Sequence, residues 1–281
     1  MQRELIGKTP IIELRSGILA KLETYNPTGS IKDRIISYIV NKAIQSGEIK
    51  PSTVFVEATS GNTGIALSAM GAYTGNKVKI VMPSNMSEER RQMMRFFGAE
   101  IVDVDPHDFK GAIALRNEMV KQGCWSPNQF ENEQNIQCHF ETTAKEIHEQ
   151  VEGRGEIWGA FVSGAGTGGT LMGVQKYLQS KSLKTQMIFM KPAEKNHGIQ
   201  GVGDGADYLL NQDLMTHTVE IKTSDAIKKS KSLSIELGIP VGISAAANVL
   251  AAEWYEKHHL THGKTVTILC DRGERYMSNN P

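Results

Sequence analysis

Short runs of β-branched and other apolar residues alternate along the chain with longer segments of helical periodicity. In the first half, strands are predicted at residues 53–56, 78–82 and 101–104, and helices at residues 63–73, 87–97 and 111–121. Ser87 opens the second of these helices, and two acidic residues follow in its first turn, where the helix dipole favours negative charge. Strands that alternate with helices over short connections predict parallel, doubly wound sheets.

The second half of the chain repeats this alternation. Strands are predicted at residues 158–162, 187–190 and 265–269, and helices after the glycine loop near residue 168, at residues 224–237 with Ser224 as the cap, and at residues 245–257. A helix at residues 134–151 separates the two series. The predicted fold class is therefore α/β, with two doubly wound α/β lobes and a cleft between them.

Composition narrows the class of protein. The 281 residues are 40% hydrophobic, which is enough for substantial cores. Lys plus Arg and Asp plus Glu both number 31, and this balance gives no support to a nucleic-acid or membrane partner. Cys124, Cys138 and Cys270 form no CxxC pair, so we expect reduced, buried thiols in a cytoplasmic protein. We expect neither a signal peptide in MQRELIGKTP nor a membrane span, because no stretch of about 18 apolar residues occurs.

The first segment with candidate chemistry is NPTGSIKDR at residues 26–34. It places Lys32 at the start of a helical segment, beside Asp33 and Arg34. A capped helix with a surface lysine is the simpler interpretation. The functional interpretation is a nucleophilic amine, because a nearby cation and a helix N-terminus both lower the pKa of a lysine.

Two further segments connect a strand directly to a helix. EATSGNTG at residues 57–64 gathers hydroxyls, an amide and backbone N–H groups, which is typical of an anion site or of a simple turn. The helix after it lacks the lysine of a Walker-type loop. SGAGTGGT at residues 163–170 satisfies G-x-G-x-x-G, but the next strand ends in Lys191 and Pro192, without the acid that binds a dinucleotide's ribose. We therefore predict a phosphate site other than one for NAD.

Ser244 and the segment CDRGERY at residues 270–276 are the remaining candidates. Ser244 precedes an alanine-rich helix, where an N-cap is the simplest interpretation. The charge density of residues 270–276, directly after the last strand, is typical of a solvated loop or an ion-pair network. The eight histidines have no HExxH or Cys/His ligand spacing, so no metal site is predicted.

Together these segments resemble the cysteine synthases, which belong to the β-family (fold type II) of pyridoxal-phosphate enzymes. The similarity extends from Ile6 to Tyr276, and the motifs occur in the family's order: NPTGSIKDR, EATSGNTGIAL, the glutamine of NQFEN, GTGGT, HGIQGVGDG and GERY. MPSNMSEERRQMMRFFGAE and ILCDRGERY look closer to the B form of the family, O-acetylserine sulfhydrylase B, than to the A form. The resemblance implies a smaller lobe at residues 36–132, a larger lobe at residues 1–35 and 133–281, and an active site in the cleft between them.

The resemblance also implies a role for each candidate residue. Lys32 would hold pyridoxal 5′-phosphate as a Schiff base and then act as the catalytic base at the substrate Cα. The other cofactor-binding residues would be Asn62 at the 3′-oxygen, Ser244 at the pyridine nitrogen, and Gly166, Thr167, Gly168, Gly169 and Thr170 at the phosphate. The substrate-binding residues would be Thr59, Ser60, Gly61, Asn62 and Gln129 at the carboxylate, with Gly203 near the substrate side of the cofactor.

The implied reaction is a β-replacement on an O-activated serine. O-acetylserine would react with sulfide or thiosulfate to give L-cysteine or S-sulfocysteine, and the enzyme would be a homodimer. Two alternatives stay open. One is a cystathionine β-synthase-like condensation of serine with homocysteine, and the other is a catalytically weak, cofactor-binding regulatory paralogue.

The sequence departs from the family's pattern at several places, which include short segments between Leu14 and Ala20 and at the C-terminus. Ala245 and Ala246 follow Ser244 where the family usually has Ser-Gly, and the stretch before HGIQ is shortened to residues 192–196. These changes spare every cofactor contact named above. They concern cleft closure, donor preference and dimer contacts.

Overall fold

The computed structural model describes residues 3–203 and 208–279. The strands are β1 (Ile11–Glu13), β2 (Leu19–Leu22), β3 (Phe55–Ala58), β4 (Val78–Pro83), β5 (Glu100–Val104), β6 (Trp158–Gly164), β7 (Gln186–Pro192), β8 (His217–Ile221) and β9 (Lys264–Leu269). The helices are α1 (Lys32–Gln45), α2 (Asn62–Thr74), α3 (Glu88–Phe96), α4 (Phe109–Lys121), α5 (Gln134–His139), α6 (Lys145–Glu152), α7 (Gly169–Ser180), α8 (Thr223–Leu237) and α9 (Ile243–His258). A π-helical segment, Phe140–Ala144, connects α5 to α6 where one helix was predicted. Within the described ranges, no helix has both the length and the apolar character needed to cross a bilayer.

One compact unit, called the first unit below, comprises residues 3–6, 26–132 and 275–279. Its sheet contains β3, β4 and β5 in that order, and both neighbouring pairs are parallel. β3 is buried along its whole length, and β4 almost so, as in parallel sheets that are covered on both faces. The carboxyl end of β3 therefore opens directly into the segment that carries Thr59 to Asn62.

A second compact unit comprises residues 7–25, 133–203 and 208–274. Its sheet has the order β1-β2-β9-β6-β7-β8. β1 pairs antiparallel with β2 at one edge, and the other neighbouring pairs are parallel. The predicted α/β class with parallel sheets is confirmed, although β1, β2 and β8 were not predicted from the sequence.

The units and the predicted lobes share a boundary at residues 132 and 133. Residues 3–6, 26–35 and 275–279 are grouped with the first unit, whereas the family resemblance assigned them to the larger lobe. Lys32 therefore belongs to the same unit as residues 57–64. The two lobes as folding domains stay a prediction.

The predicted strand at residues 53–56 lies two residues further along, at Phe55–Ala58. Thr53 closes a turn instead, since its N–H donates to the carbonyl of Lys50 and its Oγ1 accepts the N–H of Lys50, both at 2.9 Å. Glu57 is a strand residue despite its charge, and it is fully buried. The observed strand is therefore offset from the predicted one: Thr53 lies before it, and Glu57 is part of it.

The predicted cap of α8 is also wrong, because the helix begins at Thr223 and not after Ser224. The carboxylate of Glu194 accepts the backbone N–H and the hydroxyl of Thr223, both at 3.1 Å. Glu194 lies in the shortened stretch at residues 192–196. A carboxylate from another part of the chain therefore satisfies the first turn of this helix, which also suits the positive end of the helix dipole.

Asn248, a fully buried residue of α9, links two strands of the second unit. Its Oδ1 accepts the N–H of Gly164 at 2.7 Å, and its Nδ2 donates to the carbonyl of Ile268 at 3.1 Å. Gly164 is the last residue of β6. One side-chain amide therefore fixes the point at which the glycine loop leaves the sheet.

We expect Asn248→Ala to lower the free energy of unfolding by about 1–3 kcal/mol, because it removes the buried acceptor of the Gly164 N–H. Urea denaturation of the purified protein measures this loss. Asn117→Ala, on the exposed face of α4, is the control and should change stability by less than about 0.5 kcal/mol. Equal stabilities of the two variants would contradict the assigned role of Asn248.

Candidate active site

Lys32 is the first residue of α1 and is only partly buried. Its backbone N–H donates to Ser30 Oγ at 3.3 Å, and the carboxylate of Asp33 accepts the N–H of Thr28 at 2.7 Å. The turn between Thr28 and Asp33 needs Gly29, whose φ is 80°. The predicted helix start is therefore observed, and the lysine sits at the positive end of a helix dipole. Its role as cofactor ligand and base stays a prediction.

The segment 59–62 connects β3 to α2 in the same unit. Thr59 is buried, while Ser60, Gly61 and Asn62 are half-buried. Gly61 is the N-cap of α2, and its N–H donates to Thr59 Oγ1 at 3.3 Å. Hydroxyls and a side-chain amide therefore surround the first turn of a 13-residue helix, where backbone N–H groups lack intrahelical partners. This arrangement suits an anion such as a carboxylate.

Gln129 reaches the same helix from a distant part of the sequence. Its side chain is buried, and its Oε1 accepts a hydrogen bond from Thr63 Oγ1 at 2.6 Å. Because the oxygen of the amide faces Thr63, the other branch of this amide is Nε2, which can only donate. The structure thus brings the predicted residue Gln129 into contact with Thr63, the residue that follows the segment 59–62.

Arg275 is a buried residue that sequence analysis did not select. Its guanidinium donates to Oδ1 of Asn62 and to the backbone carbonyl of Thr28, and it joins α2 to the segment before Lys32. A guanidinium has donors only, so it fixes which end of the Asn62 amide faces it and leaves Nδ2 on the other branch. The charge density of the GERY motif alone is typical of a solvated loop or an ion-pair network. Only the fold reveals that Arg275 is buried.

The glycine loop of the second unit runs from the end of β6 to the start of α7. Gly168 is the N-cap of this helix, with φ of 86°, and Gly169 and Thr170 are in its first turn. Thr167 Oγ1 accepts hydrogen bonds from Gly169 N at 3.2 Å and from Asn135 Nδ2 at 3.0 Å. The predicted loop therefore presents backbone N–H groups and hydroxyls at the N-terminus of a 12-residue helix, an arrangement suited to phosphate.

The segment that contains Gly203 packs against this loop. Gly203 has φ of 67°, and its N–H donates to the carbonyl of Ala165 at 2.9 Å. A Cβ on Gly166 would lie 2.4 Å from the carbonyl oxygen of Gly201, so only glycine fits there. Gly203 is exposed beside the glycine loop. The end of the HGIQGVGDG motif, at residues 204 and 205, lies outside the described residues.

Ser244 is the second residue of α9, and the N-cap of that helix is Gly242. The interpretation of Ser244 as an N-cap is therefore wrong. A side chain at the cap position would meet Asp271, since a Cβ on Gly242 would lie 1.9 Å from its Oδ1. Ser244 is buried, and its hydroxyl can donate one hydrogen bond. A buried hydroxyl of this kind suits a ligand that offers an acceptor.

Comparison with known proteins agrees with this chemistry. Residues 2–271 match the family described as "Pyridoxal-phosphate dependent enzyme". The chain is 37% identical to cysteine synthase B of Escherichia coli (strain K12), over 98% of this chain and 93% of that protein. Two solved structures are similar to it at a coverage of 98% of this chain. They are O-ureido-L-serine synthase (TM-score 0.92, 33% identity, 92% of that chain) and cysteine synthase (OASS) of Entamoeba histolytica (TM-score 0.90, 38% identity, 88% of that chain).

The close packing of the glycine loop can be tested with two glycines that both have positive φ. A Cβ on Gly168 would lie 2.5 Å from the backbone nitrogen of Leu210, whereas a Cβ on Gly238, with φ of 65°, would meet nothing within 4 Å. Both alanine variants should lose about 1–2 kcal/mol of folding free energy, because alanine disfavours the left-handed backbone conformation. Gly168→Ala should lose a further 1–3 kcal/mol or so through overpacking. Urea denaturation measures both, and equal losses would contradict the packing.

Proposed function

The chain belongs to the pyridoxal-phosphate-dependent enzymes and, within them, to the cysteine synthase family, and we propose that it makes L-cysteine from O-acetyl-L-serine and sulfide. The observation that carries this proposal is the hydrogen bond between Thr63 and Gln129, residues separated by 66 positions. It joins the glutamine to the hydroxyls and amide of residues 59–62, and this set of neutral donors suits the carboxylate of an amino acid.

The residues present fit pyridoxal phosphate. The Asn62 amide has its oxygen directed to Arg275, so its donor end is suited to the 3′-oxygen of the cofactor. The Ser244 hydroxyl can donate to the pyridine nitrogen. The phosphate would be bound by the loop at the N-terminus of α7, which comprises Gly166, Thr167, Gly168, Gly169 and Thr170. Lys32 would hold the cofactor covalently through Nζ.

In the proposed reaction the protein binds the substrate through its carboxylate. Hydroxyls and amides of Thr59, Ser60, Gly61, Asn62 and Gln129 would grip the two carboxylate oxygens, and Gly203 would lie near the same substrate. These donors carry no charge, so they would bind the carboxylate through directional hydrogen bonds, and the geometry of those bonds would set the substrate's orientation. The binding group is thereby expected to select α-amino acids over amines that lack a carboxylate.

Lys32 would perform the proton transfers. Its amine takes the proton from the substrate Cα, the Cβ–O bond breaks with the electron pair leaving on acetate, and a bond forms between Cβ and the sulfur of hydrosulfide. The same lysine returns the proton to Cα. When bound, pyridoxal phosphate supplies the electron sink for the pair released from the Cα–H bond. The first position of α1 places this amine at the positive end of a helix dipole.

The family resemblance supports two further proposals. Two copies of the chain would form a homodimer, and the enzyme would work in the cytoplasm. Thiosulfate as an alternative nucleophile, with S-sulfocysteine as the product, is compatible with the same residues.

The proposed function is tested by incubating the purified protein with O-acetyl-L-serine and either sulfide or thiosulfate, and identifying the product. We expect L-cysteine from sulfide, and Lys32→Ala should lower the rate by at least about 10²-fold, because it removes the general base. Lys42→Ala, an exposed lysine of the same helix, should keep the wild-type rate. Borohydride reduction should attach the cofactor to the peptide that contains Lys32.

Two results would contradict this assignment. A Lys32→Ala protein with the wild-type rate would exclude Lys32 as the base. Formation of cystathionine from serine and homocysteine, without cysteine formation from O-acetyl-L-serine, would favour the cystathionine β-synthase-like alternative.

Gln129→Ala should weaken amino-acid binding by about 10- to 100-fold, because one charge-assisted hydrogen bond to the carboxylate is lost. The dissociation constant follows from the change in the cofactor's visible absorption on titration with L-cysteine, and cofactor content should not change. Gln122→Ala, on an exposed residue of the same unit, is the matched control. An unchanged dissociation constant for Gln129→Ala would remove this residue from the site.

A further inference from the structure

We propose that the buried pair of Glu57 and Arg116 is a positioning device for Gln129, and that it sets the affinity for the carboxylate of the amino-acid substrate. This inference rests on the proposed function of Gln129. Among the described residues, the side chains of Glu57 and Arg116 make no hydrogen bond to the segment 59–62, so both would act through the loop at residues 125–129. Every contact used below lies within the first unit.

Glu57 holds the backbone of Gln129 from the end of β3. The side chain of Glu57 is fully buried, and its Oε2 accepts the N–H of Gln129 at 3.3 Å and the hydroxyl of Ser126 at 3.4 Å. Its Oε1 accepts the N–H of Ala58 at 2.9 Å. The Glu57 carboxylate thus connects the end of β3 to Gln129, whose amide is the proposed donor to the substrate's carboxylate.

Arg116, on α4, holds the preceding part of the same loop. Its Nη1 donates to Ser126 Oγ and to Asn128 Oδ1, both at 3.0 Å, and lies 3.6 Å from Glu57 Oε1. Asn128 has a positive φ of 46°, a conformation that costs energy for a residue other than glycine. The guanidinium therefore stabilises the bend that turns the chain toward Gln129.

The side chain of Gln129 has a separate anchor. Thr63 Oγ1 donates to Gln129 Oε1 at 2.6 Å, while Glu57 holds the backbone N–H of the same residue. With both the backbone and the amide oxygen held, the direction of Nε2 is fixed relative to α2. Loss of the backbone anchor would leave Thr63 alone to hold the glutamine.

The charges of this pair are difficult to explain by stability alone. Burial raises the pKa of the Glu57 carboxyl, and the nearby charge of Arg116 opposes that shift. Apolar residues of similar volume often stabilise a protein as well as a buried ion pair does. What an apolar pair could not supply is the set of hydrogen bonds to Ser126, Asn128 and Gln129. Positioning of the loop is therefore the function that these residues fit.

Glu57→Gln tests the inference because it keeps the shape of the side chain and removes its charge and one acceptor. We expect the dissociation constant of L-cysteine to rise about tenfold, with the KM for O-acetyl-L-serine rising in parallel. Cofactor content and kcat should stay within about twofold of the wild-type values. The matched control is Asp103→Asn, which breaks the ion pair with buried Arg91 in the same unit, 2.5 Å apart, without touching residues 125–129. It should leave the dissociation constant unchanged.

A double-mutant cycle separates positioning from a general loss of structure. In a Gln129→Ala background, Glu57→Gln should no longer change the dissociation constant, because the residue that it positions has lost its donor. A full tenfold effect in that background would overturn the proposal. Ser126→Ala, which removes the hydroxyl shared by Glu57 and Arg116, provides a milder variant if Glu57→Gln does not fold, and it should raise the constant about threefold.

The outcomes also distinguish this inference from the proposed function. If the wild-type protein binds L-cysteine but makes none from O-acetyl-L-serine and sulfide, the proposed reaction fails, and the ratios of dissociation constants still decide the inference. If Glu57→Gln and Ser126→Ala bind L-cysteine like the wild type, the positioning role is excluded while the reaction stands. Failure of the wild-type protein to bind any α-amino acid would overturn both.

Discussion

A helix that follows a buried parallel strand exposes its first backbone N–H groups at the carboxyl end of that strand, and the candidate binding group of each unit depends on this constraint. In the first unit, β3 leads through Thr59 to Gly61 into α2. In the second, β6 leads through the glycine loop into α7. Both helices have a glycine at the N-cap, Gly61 and Gly168, so the polar groups of each turn come from neighbouring hydroxyls and from more distant side chains.

The contiguous parts of the site could be predicted from the sequence, because their chemistry and their local structure lie within eight residues. This holds for the segment 57–64 and for the glycine loop. The contacts of Arg275 could not be predicted in this way, since Asn62 lies 213 positions away and Thr28 lies 247 away. A charged residue after a strand is expected to be exposed. The start of α9 could not be predicted either. The helix is capped at Gly242 and not at Ser244, and the close approach of Asp271 that requires glycine there involves a residue distant in sequence.

Three charged residues to which sequence analysis gave no role are buried in the first unit. Glu57, Arg116 and Arg275 are all buried, and taking such groups out of water has a cost that their partners must offset. Each of them bonds to a residue in or beside the proposed carboxylate and cofactor groups: Gln129, Asn128 and Asn62, respectively. Each of these three buried charges therefore fixes the position of a neighbouring amide group.

The stretch at residues 192–196, which the family resemblance suggests is shortened, is anchored at both ends of the segment that leads to Gly203. Glu194 is tied to Thr223 at the start of α8, and the carbonyl of Gly203 accepts a hydrogen bond from His197 Nε2 at 3.2 Å. The N–H of Gly203 is in turn bound to Ala165 of the glycine loop. A short connection also has less conformational freedom to lose when its ends are fixed. The stretch between Glu194 and Gly203 is therefore held at both ends, and its contact with the glycine loop is made by backbone atoms of Gly203 and Ala165.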